Sequence, residues 1–512
     1  IAVRDQAEGV LYGDHAMGGA VVVTTKPLRQ RPDVFSVSFG SYDTQQYTTQ
    51  LKAINGHWTA LTLVQKTRSD NYREHNQWGS DRMQSGIAYD EGDSHWQWTV
   101  SASDQELQLP GSLTAQQVAQ DPRQADNDTD TMNTHVLRSA LKGEFPLSAT
   151  WQYQTKIQWS DVSQDGYQGS NYTSSGDIVQ WRQSVASTET MWLNSQWQFG
   201  TDALASNYSY SSSEYNPDSD QNTVSLFEQS TTPLSRHLSM IVGQRGSFNH
   251  LSESQSAQSW SDNESAYATT LALRYAFNDC HDIELRRASS FGFPTSDEVA
   301  WTQNNEPLDT ETGTSYELQY QQNNGPVTFN GGVYWLDVDY EIMYVPYQDS
   351  LYFGYNENLA QTSRVGAHVT LQDQLSKQWQ LQGRYDWVNA VISEGSDSGN
   401  AIPFVASNQW TAGVRYLPQQ HWQVDLSCHF RGSRYPMGDV DNIASEEASY
   451  ALLDVALQYR RGVLQSSFKI NNITDVRYNA AAVLSSNDAG DAEVYYYPAA
   501  GINVIWSMRV VI

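Results

Sequence analysis

The sequence predicts an all-β fold, a transmembrane antiparallel β-barrel of about 22 strands. Apolar and polar residues alternate along most of the 512 residues, the polar positions are rich in Gln, Ser, Thr and Asn, and aromatic residues make up 12% of the chain. No run approaches the roughly 18 apolar residues with which a helix spans a bilayer. Because only every second residue of a barrel strand faces lipid, a mean hydropathy of -0.59 is compatible with this fold.

Strict alternation is clearest in residues 151–159. The same period of two returns in residues 35–39, 96–100, 379–382, 422–430, 464–470 and 504–512. A soluble β-sandwich or propeller also alternates, but its water-facing side usually carries many Lys and Glu. A wet lumen suits the uncharged polar residues found here, and interfacial girdles suit the tryptophans and tyrosines. The pattern therefore favours the membrane barrel.

The connections between the predicted strands are of two kinds. Asn55-Gly56 supplies the positive φ angles of a tight hairpin turn. Long polar connections are predicted at Ser69 to Asp81, Leu107 to Asn133, Asp161 to Asp177 and Ser211 to Gln221, and we expect these to be extracellular. At roughly 22 residues for each strand and its connection, the chain supplies about 22 strands, and a barrel that wide encloses a lumen that needs a plug.

Composition excludes several classes of function. A formal charge of -28 disfavours a nucleic-acid partner, because phosphate binding needs a basic surface. Enzyme motifs of the zinc-protease, serine-hydrolase, phosphate-loop and Cys-x-x-Cys types are absent from the sequence, so we expect no catalytic residues. Cys280 and Cys428 match no metal or redox spacing, and free thiols or one disulfide both fit them. The sequence opens at Ile1 without a signal peptide, which predicts that a leader was removed or that the gene product is longer.

The opening residues carry the first resemblance to a known family. Tyr12-Gly13, the pair Gly18-Gly19 and the apolar run that follows them resemble the end of the plug domain in TonB-dependent outer-membrane receptors. The glycine pair permits backbone angles that side chains forbid, and the apolar run then makes a strand. The resemblance implies that residues 1–27 are the C-terminal end of a plug domain and that residues 28–512 are the barrel.

Further segments resemble the same family in the expected order. They are Leu109–Leu113, Ser289–Thr295, Tyr340–Ile342, Asn472–Asp475 and Tyr497–Gly501. One departure is Gly292, where the family commonly has Arg. Another is that most of the plug and any TonB box lie outside this sequence. We expect a truncated chain, a plug that the structure leaves out, or a plug supplied by another chain.

The resemblance implies a receptor in the bacterial outer membrane that binds a scarce, large ligand and moves it to the periplasm. A ferric siderophore is the commonest cargo of the family, and cobalamin or another large cofactor stays open, so the cargo is expected to carry iron or cobalt. The implied partners are membrane lipid, lipopolysaccharide and, with a complete plug, the TonB complex, around a monomeric barrel. A passive porin-like channel and a structural component of a larger assembly are the alternatives.

The candidate site residues lie in the polar connections. Aromatic side chains there stack on planar or chelated ligands, and the candidates are Tyr167, Tyr172, Tyr344, Tyr347, Tyr352 and Tyr355. Closely spaced oxygen ligands of the kind that Ca²⁺ accepts are offered by Asp126, Asp128 and Asp130, although the full twelve-residue calcium loop is absent. The plug motif is assigned to Tyr12, Gly13, Gly18 and Gly19.

Overall fold

The computed structural model describes residues 2–191, 194–213, 215–255, 258–302, 306–345, 354–487 and 489–512. It confirms the predicted architecture, because 22 antiparallel strands form one closed barrel in this part of the chain. The barrel strands are β3 (Val34–Gly40), β4 (Thr44–Asn55), β5 (Trp58–Ser69), β6 (Trp78–Glu91), β7 (Ser94–Gln108), β9 (Thr131–Ser148), β10 (Trp151–Gln168), β11 (Ser170–Ser187), β12 (Gln196–Ser211), β13 (Pro217–Pro233), β14 (Leu238–Gln255), β15 (Gln258–Asn278), β16 (His281–Gly292), β17 (Glu311–Asn324), β18 (Val327–Asp339), β21 (Gln361–Asp373), β22 (Trp379–Glu394), β23 (Asn408–Gln419), β24 (Trp422–Arg431), β25 (Tyr450–Arg461), β26 (Leu464–Asn471) and β29 (Asn503–Val511).

The remaining elements lie inside the barrel or in its loops. The N-terminal segment contains β1 (Ala2–Arg4), α1 (Gly9–Tyr12), β2 (Ala20–Val22) and a 3-10 helix (Leu28–Gln30), and the loops contain β8 (Leu113–Thr114), α2 (Ala115–Gln120), α3 (Ser296–Ala300), β19 (Ile342–Val345), β20 (Tyr355–Asn358), β27 (Asn479–Ser486) and β28 (Ala492–Pro498). Leu28 of the 3-10 helix is buried against Leu61 and Ala88 of the wall. This contact brings the chain to the wall shortly before β3 begins.

Closure of the sheet satisfies the backbone of both terminal strands. β29 pairs with β3 in the registers Ile505 to Gly40 and Val511 to Val34. In a bilayer an unpaired strand edge would leave N–H and C=O groups without partners, at a cost of several kcal/mol for each group. The ring therefore has to close, and the last strand of the sequence is held by the first strand of the barrel.

The two ends of the barrel differ as the sequence predicts. Short turns join alternate strands at one end, among them the confirmed hairpin at Gly56, whose φ is 59°. The other end carries the loops that contain α2, α3 and the small β-sheets. In outer-membrane barrels the long loops are extracellular.

Two of the four predicted long connections are wrong in extent. Residues 161–177 are not a loop, since β10 and β11 continue as a paired hairpin to a turn at Gly169. Of residues 211–221, Ser211 ends β12 and the last five belong to β13, which begins at Pro217, so the connection is only residues 212–216. Both faces of these strand ends are mainly polar, so their sequences lack the apolar alternation that indicates a strand. The other two are loops with shorter bounds, and the loop within residues 107–133 contains β8 and α2.

Alternation separates the two faces of the wall. In β10 and β11, Lys156, Gln158 and Arg182 line a cavity inside the barrel. The residues between them, such as Ile157 and Trp181, are exposed on the other side. A continuous belt of exposed apolar side chains on that outer face is what lipid requires.

The long loops on one side are joined into a compact cap. β8 pairs with β28, so the loop after β7 and the loop before β29 share a three-stranded sheet. Arg73, in the loop after β5, is buried and donates hydrogen bonds to the carbonyls of Pro110, Gly111 and Gln124 at 2.5 to 3.2 Å. One guanidinium therefore fixes three separate points of the loop that follows β7.

Both cysteines are free thiols, at Cys280 and Cys428. Among the described residues there is no helix with the length and apolarity needed to cross a membrane.

Replacing Arg73 with Ala should loosen the cap without opening the barrel. Hydrogen bonds to a charged group contribute about 1.5–3 kcal/mol each, so we expect proteolysis within residues 109–130 to become at least about tenfold faster. Limited proteolysis with peptide mapping measures this rate. Arg236→Ala, in the exposed turn between β13 and β14, is the matched control and should leave the rate unchanged. Equal cleavage in the two variants would show that Arg73 does not hold the loop.

Candidate luminal seat and ligand vestibule

The N-terminal segment lies inside the barrel, packed on one side of the wall. Helix α1 contacts the inner faces of β13 to β16. Val10 is buried in a cluster with Ala266, Ala268, Phe291 and Phe293. Gly9 makes this approach possible, because a Cβ atom there would lie 2.9 Å from Cβ of Ser290. The contacts that hold residues 5–16 against the wall are called the luminal seat below.

Arginines of the wall bind the free carbonyls of the segment. Arg182 donates to the carbonyl of Leu11 at 2.5 Å, Arg245 to that of Val10 at 3.4 Å, and Arg286 to that of Ala7 at 3.3 Å. A helix as short as α1 leaves its last carbonyls without partners inside the helix. The guanidinium groups of Arg182 and Arg245 supply those partners.

Carboxylates complete the seat. Glu317 accepts a hydrogen bond from the backbone N–H of Ala7 at 3.0 Å, and Arg384 binds both oxygens of Asp5 at 3.2 Å. Glu8 lies 3.8 Å from Arg286. Burial raises the pKa of the Glu8 carboxyl above its ordinary value, while Arg286 acts in the opposite direction. Removal of either partner from such a pair would leave a buried charge uncompensated.

The four residues of the predicted plug motif have different surroundings, in the seat and just after it. Tyr12 ends α1 and borders a luminal cavity of about 210 Å³. Gly13, with φ of 89°, lets the chain turn beside Arg245, and Gly19, with φ of 127°, packs on the carbonyl of Arg4. Gly18 has open space around it. The predicted need for a glycine therefore falls on the second residue of the pair.

Gly292 accommodates the segment where the family commonly has Arg. A Cβ atom at this position would lie 2.7 Å from Oε2 of Glu311 and 2.9 Å from Nδ1 of His15. The backbone N–H of His15 also donates to the carbonyl of Phe291 at 2.9 Å. Without a side chain at Gly292, the imidazole of His15 occupies the space and comes within 3.9 Å of Glu311.

A charged cavity of about 590 Å³ separates the segment from the wall on its other side. Its wall carries the pair Arg364 and Glu341 at 2.6 Å and the pair Arg384 and Asp386 at 2.7 Å. Buried His368 also lines it. The lumen is thus wet and rich in paired charges beside the seat.

An aromatic cluster lines the inner face of the wall at the long-loop end. Tyr172 stacks on Tyr210 with ring centroids 5.7 Å apart, and Trp301 lies 5.0 Å from Tyr210 and 4.7 Å from Tyr215. Tyr172 is on the same face of β11 as Arg182, since ten residues separate them and the period is two. Trp301 directly follows helix α3. The carbonyl of Ser296 in this helix accepts a hydrogen bond from the hydroxyl of Ser219 at 2.5 Å, which ties the helix to β13. These four rings are called the aromatic cluster below.

Of the other predicted tyrosines that the structure describes, Tyr167 lies on the same hairpin as Tyr172 but on its opposite face. Tyr167 shares the outer face with Ile157 and Trp159, so it points away from Tyr172. Tyr344 lies on β19, where its hydroxyl accepts from the backbone N–H of Gly354 at 2.7 Å, and Tyr355 lies on the paired strand β20. Tyr347 and Tyr352 lie outside the described residues.

Two carboxylates of the predicted cation loop accept hydrogen bonds from neighbouring segments. Asp126 accepts from Gln117 at 2.8 Å, and Asp130 accepts from the backbone N–H of Gly169 at 3.3 Å. No group of three or more His, Cys, Asp and Glu able to hold a metal occurs in the described part of the chain. A Ca²⁺ ion bound by Asp126, Asp128 and Asp130 stays a prediction.

Sequence reasoning did not single out the arginines of the seat. Arg182, Arg245, Arg286 and Arg384 each stand at a polar position of an alternating strand. Lys and Arg total only 30 residues, so a basic side chain facing the lumen was itself a signal. Alternation does not show which backbone carbonyls these side chains contact, because the partners are more than a hundred residues away in the sequence.

Gly9→Ala should unseat the N-terminal segment, since its Cβ atom has no room beside Ser290. We expect protease cleavage within residues 5–16 to rise by at least about tenfold, in line with the few kcal/mol that overpacking costs. Gly18→Ala is the matched control, because no atom lies within 4 Å of a Cβ atom there. Cleavage that stays at the wild-type rate in Gly9→Ala would mean that the seat tolerates a methyl group.

Comparisons with known proteins agree with this geometry. The sequence model described as "TonB dependent receptor-like, beta-barrel" matches residues 7–473. Similar solved structures include the ferric yersiniabactin uptake receptor FyuA from Yersinia pestis, with a TM-score of 0.85, 14% identity and coverage of 100% of this chain and 84% of that one. The ferric-catecholate import receptor Fiu from E. coli K12 gives 0.83 and 14%, with 98% and 85% covered. The ferric citrate transporter FecA gives 0.81 and 16%, with 100% and 83% covered.

Such identities show the fold alone, whereas the sequence match spans most of the chain. The relatives in this family are transport receptors of the bacterial outer membrane rather than enzymes. The chain belongs to the TonB-dependent receptor family, of which it contains the β-barrel.

Proposed function

We propose that this chain takes up a scarce, large metal complex, a ferric siderophore, from outside the cell. Residues 1–27 then form the end of the plug, and residues 28–512 form the barrel that surrounds it. The TonB complex supplies the energy through the rest of the plug, the barrel acts as a monomer, and its outer face contacts membrane lipid and lipopolysaccharide. The cargo carries the iron, and the protein performs no covalent chemistry.

The luminal seat is the observation that carries this proposal. A passive channel gains nothing from a segment bound inside its lumen by Arg182, Arg245, Arg286 and Arg384. A gated receptor needs such a segment, held firmly enough to close the lumen and by polar contacts that can exchange with water. Buried charge pairs meet both needs, because they are costly to break singly and contribute little net stability when replaced together.

The aromatic cluster supports a planar or chelated ligand. Tyr210, Tyr215 and Trp301 are half-buried and present ring faces and edges at the end where the long loops converge, and the buried ring of Tyr172 stacks on Tyr210. Aromatic pairs contribute about 0.5–1.5 kcal/mol beyond their buried area, and polar hydroxyls at their tips orient the bound molecule. Tyr344 and Tyr355 extend the candidate surface into the loop after β18.

The cargo named for several of the similar structures supports an iron complex as the cargo of this chain. FyuA, Fiu and FecA are receptors or transporters of ferric complexes. A copper transporter, OprC, matches with a TM-score of 0.80 and 14% identity. Copper is therefore the comparison cargo that an uptake experiment has to include.

Uptake by cells tests the proposal directly. The complete gene is expressed in a bacterial strain that lacks its own ferric receptors, and cells receive radiolabelled iron as a tris-catecholate, a tris-hydroxamate or a citrate complex, with copper and cobalamin alongside. We expect accumulation of a ferric complex that stops when TonB is deleted. Uptake that persists without TonB would identify a passive channel, and no ferric uptake with TonB present would refute the proposed cargo.

Tyr172→Ala should weaken binding of the accumulated ferric complex about tenfold, because it removes one ring of the aromatic cluster. The dissociation constant is measured on the purified full-length receptor. Tyr167→Ala removes the same ring from the outer face of the same hairpin and should leave the constant unchanged. If Tyr167→Ala weakened binding and Tyr172→Ala did not, the ligand would sit outside the lumen.

A further inference from the structure

Basic side chains gather on one part of the luminal wall. In β6, β7, β9, β10 and β11, every Lys and Arg falls on the luminal face. They are Arg82, Arg138, Lys142, Lys156 and Arg182. This group is called the basic lane below, and it belongs to a chain whose formal charge is -28.

Register and cavity contacts assign these side chains to the lumen. Lys156 and Arg182 line the cavity beside Tyr12. Lys142 pairs directly with Lys156 in the sheet, so it shares that face. Arg138 lies four residues before Lys142 on the same strand and therefore also points inward.

Arg82 reaches the same face through β7. It pairs with Ser103, and Arg138 pairs with Ser101. Because Ser101 and Ser103 are two residues apart, Arg82 and Arg138 lie on one side of the sheet. Among the five strands, only Asp90 and Glu144 bring a carboxylate to that side.

The acidic residues of the same strands lie mainly on the outer face. They are Asp81, Glu91, Asp104, Glu106, Asp161, Asp165 and Asp177. Random placement would mix the two signs on both faces. The strands instead sort them, with cations inward and carboxylates outward.

Three cations of the lane oppose one another directly. Lys142 pairs with Lys156, and Lys156 pairs with Arg182, so one cation follows another across three adjacent strands. Neighbouring strands are only about 4.8 Å apart, and like charges in direct opposition are destabilising. Such a row is stable at low cost only where an anion or ample water lies over it.

Most of the lane has no internal counter-charge. Lys142 is 3.7 Å from Glu144, and Arg182 is 3.6 Å from Asp202. Within the described chain, Arg82, Arg138 and Lys156 form no ion pair. Luminal bases elsewhere do have partners, as Arg415 has Asp425 at 2.7 Å and Lys469 has Asp454 at 3.6 Å.

The lane also has length along the strands. Arg138 and Lys142 are separated by about 13 Å at the usual rise of a β-strand. Arg138, Lys142 and Lys156 are exposed to the lumen, and the row ends at the luminal seat, where Arg182 binds the carbonyl of Leu11. An anion that follows the lane is therefore led to the edge of the seated segment.

We infer that the basic lane guides an anionic cargo, a metal complex that carries catecholate or carboxylate oxygens, past the seated segment toward the periplasm. This inference rests on the proposed function and adds the charge of the cargo to it. A cleft lined by one sign of charge raises the local concentration and the association rate of the opposite charge by about ten to a thousandfold. The lane does so inside a protein whose overall field repels anions.

Uptake by the complete receptor in cells tests the inference. A tris-catecholate ferric complex is anionic, whereas a tris-hydroxamate ferric complex is neutral, and both surround iron with oxygen atoms. The variant that combines Arg138→Gln, Lys142→Gln and Lys156→Gln should lower the uptake rate of the anionic complex, or of ferric citrate if that is the one transported, by at least about tenfold. The dissociation constant at the extracellular face should change less than about twofold.

Two controls make the result specific. Lys469→Gln removes one luminal charge outside the lane and should leave uptake unchanged. Lys142→Arg with Lys156→Arg keeps the charge and should retain uptake. Surface amount of each variant is measured by heat-modifiable migration of the folded barrel, so that uptake is compared for equal amounts of receptor.

Three outcomes would overturn the inference and leave the proposed function standing. They are wild-type transport of only the neutral complex, unchanged anionic uptake in the triple variant, and TonB-independent leakage of both complexes through the triple variant but not through the wild type, which would assign the lane to holding the plug. If wild-type cells take up no ferric complex at all, the proposed function itself fails.

Discussion

Pairing of every backbone N–H and C=O across a closed ring is the constraint on which the rest of the structure depends. In hydrocarbon no water satisfies an open edge, so β29 has to return to β3. A ring of 22 strands cannot collapse onto its own side chains, and it leaves a lumen that something must fill. The two-residue period then divides each strand between lipid and water, so the same strands that hold the membrane face also supply the polar wall.

That polar wall explains why charge pairs dominate the interior. A soluble protein of this size would bury an apolar core, but here the apolar face of each strand points outward to the lipid. Contacts inside the lumen are therefore made by guanidinium groups, carboxylates and backbone carbonyls, as at Arg286, Glu317 and Arg384. Two small apolar clusters, one around Val10 and Phe291 and one around Leu28, join the described N-terminal segment to the wall.

Much of the fold followed from the sequence, because alternation is a local property that each strand displays by itself. The class of fold, the strand number and the turn at Gly56 were predicted correctly. Strand ends at residues 161–177 were missed, since both of their faces are polar. The site was harder to predict from the sequence. The opposite faces of Tyr167 and Tyr172 follow only once the turn at Gly169 is known, and the pair Asp5 and Arg384 joins residues that are 379 positions apart.

The pairing of β8 with β28 has a consequence for how the protein is made. β8 is Leu113–Thr114 and β28 is Ala492–Pro498, so the two strands are far apart in the sequence, and the sheet they share spans the seam where β29 meets β3. Contacts of such long sequence separation form late, because a large loop has to close first. Because the sheet of the cap spans that seam, the cap takes its final form only when β29 lies beside β3, and a barrel with an open seam presents two separate loops rather than a lid.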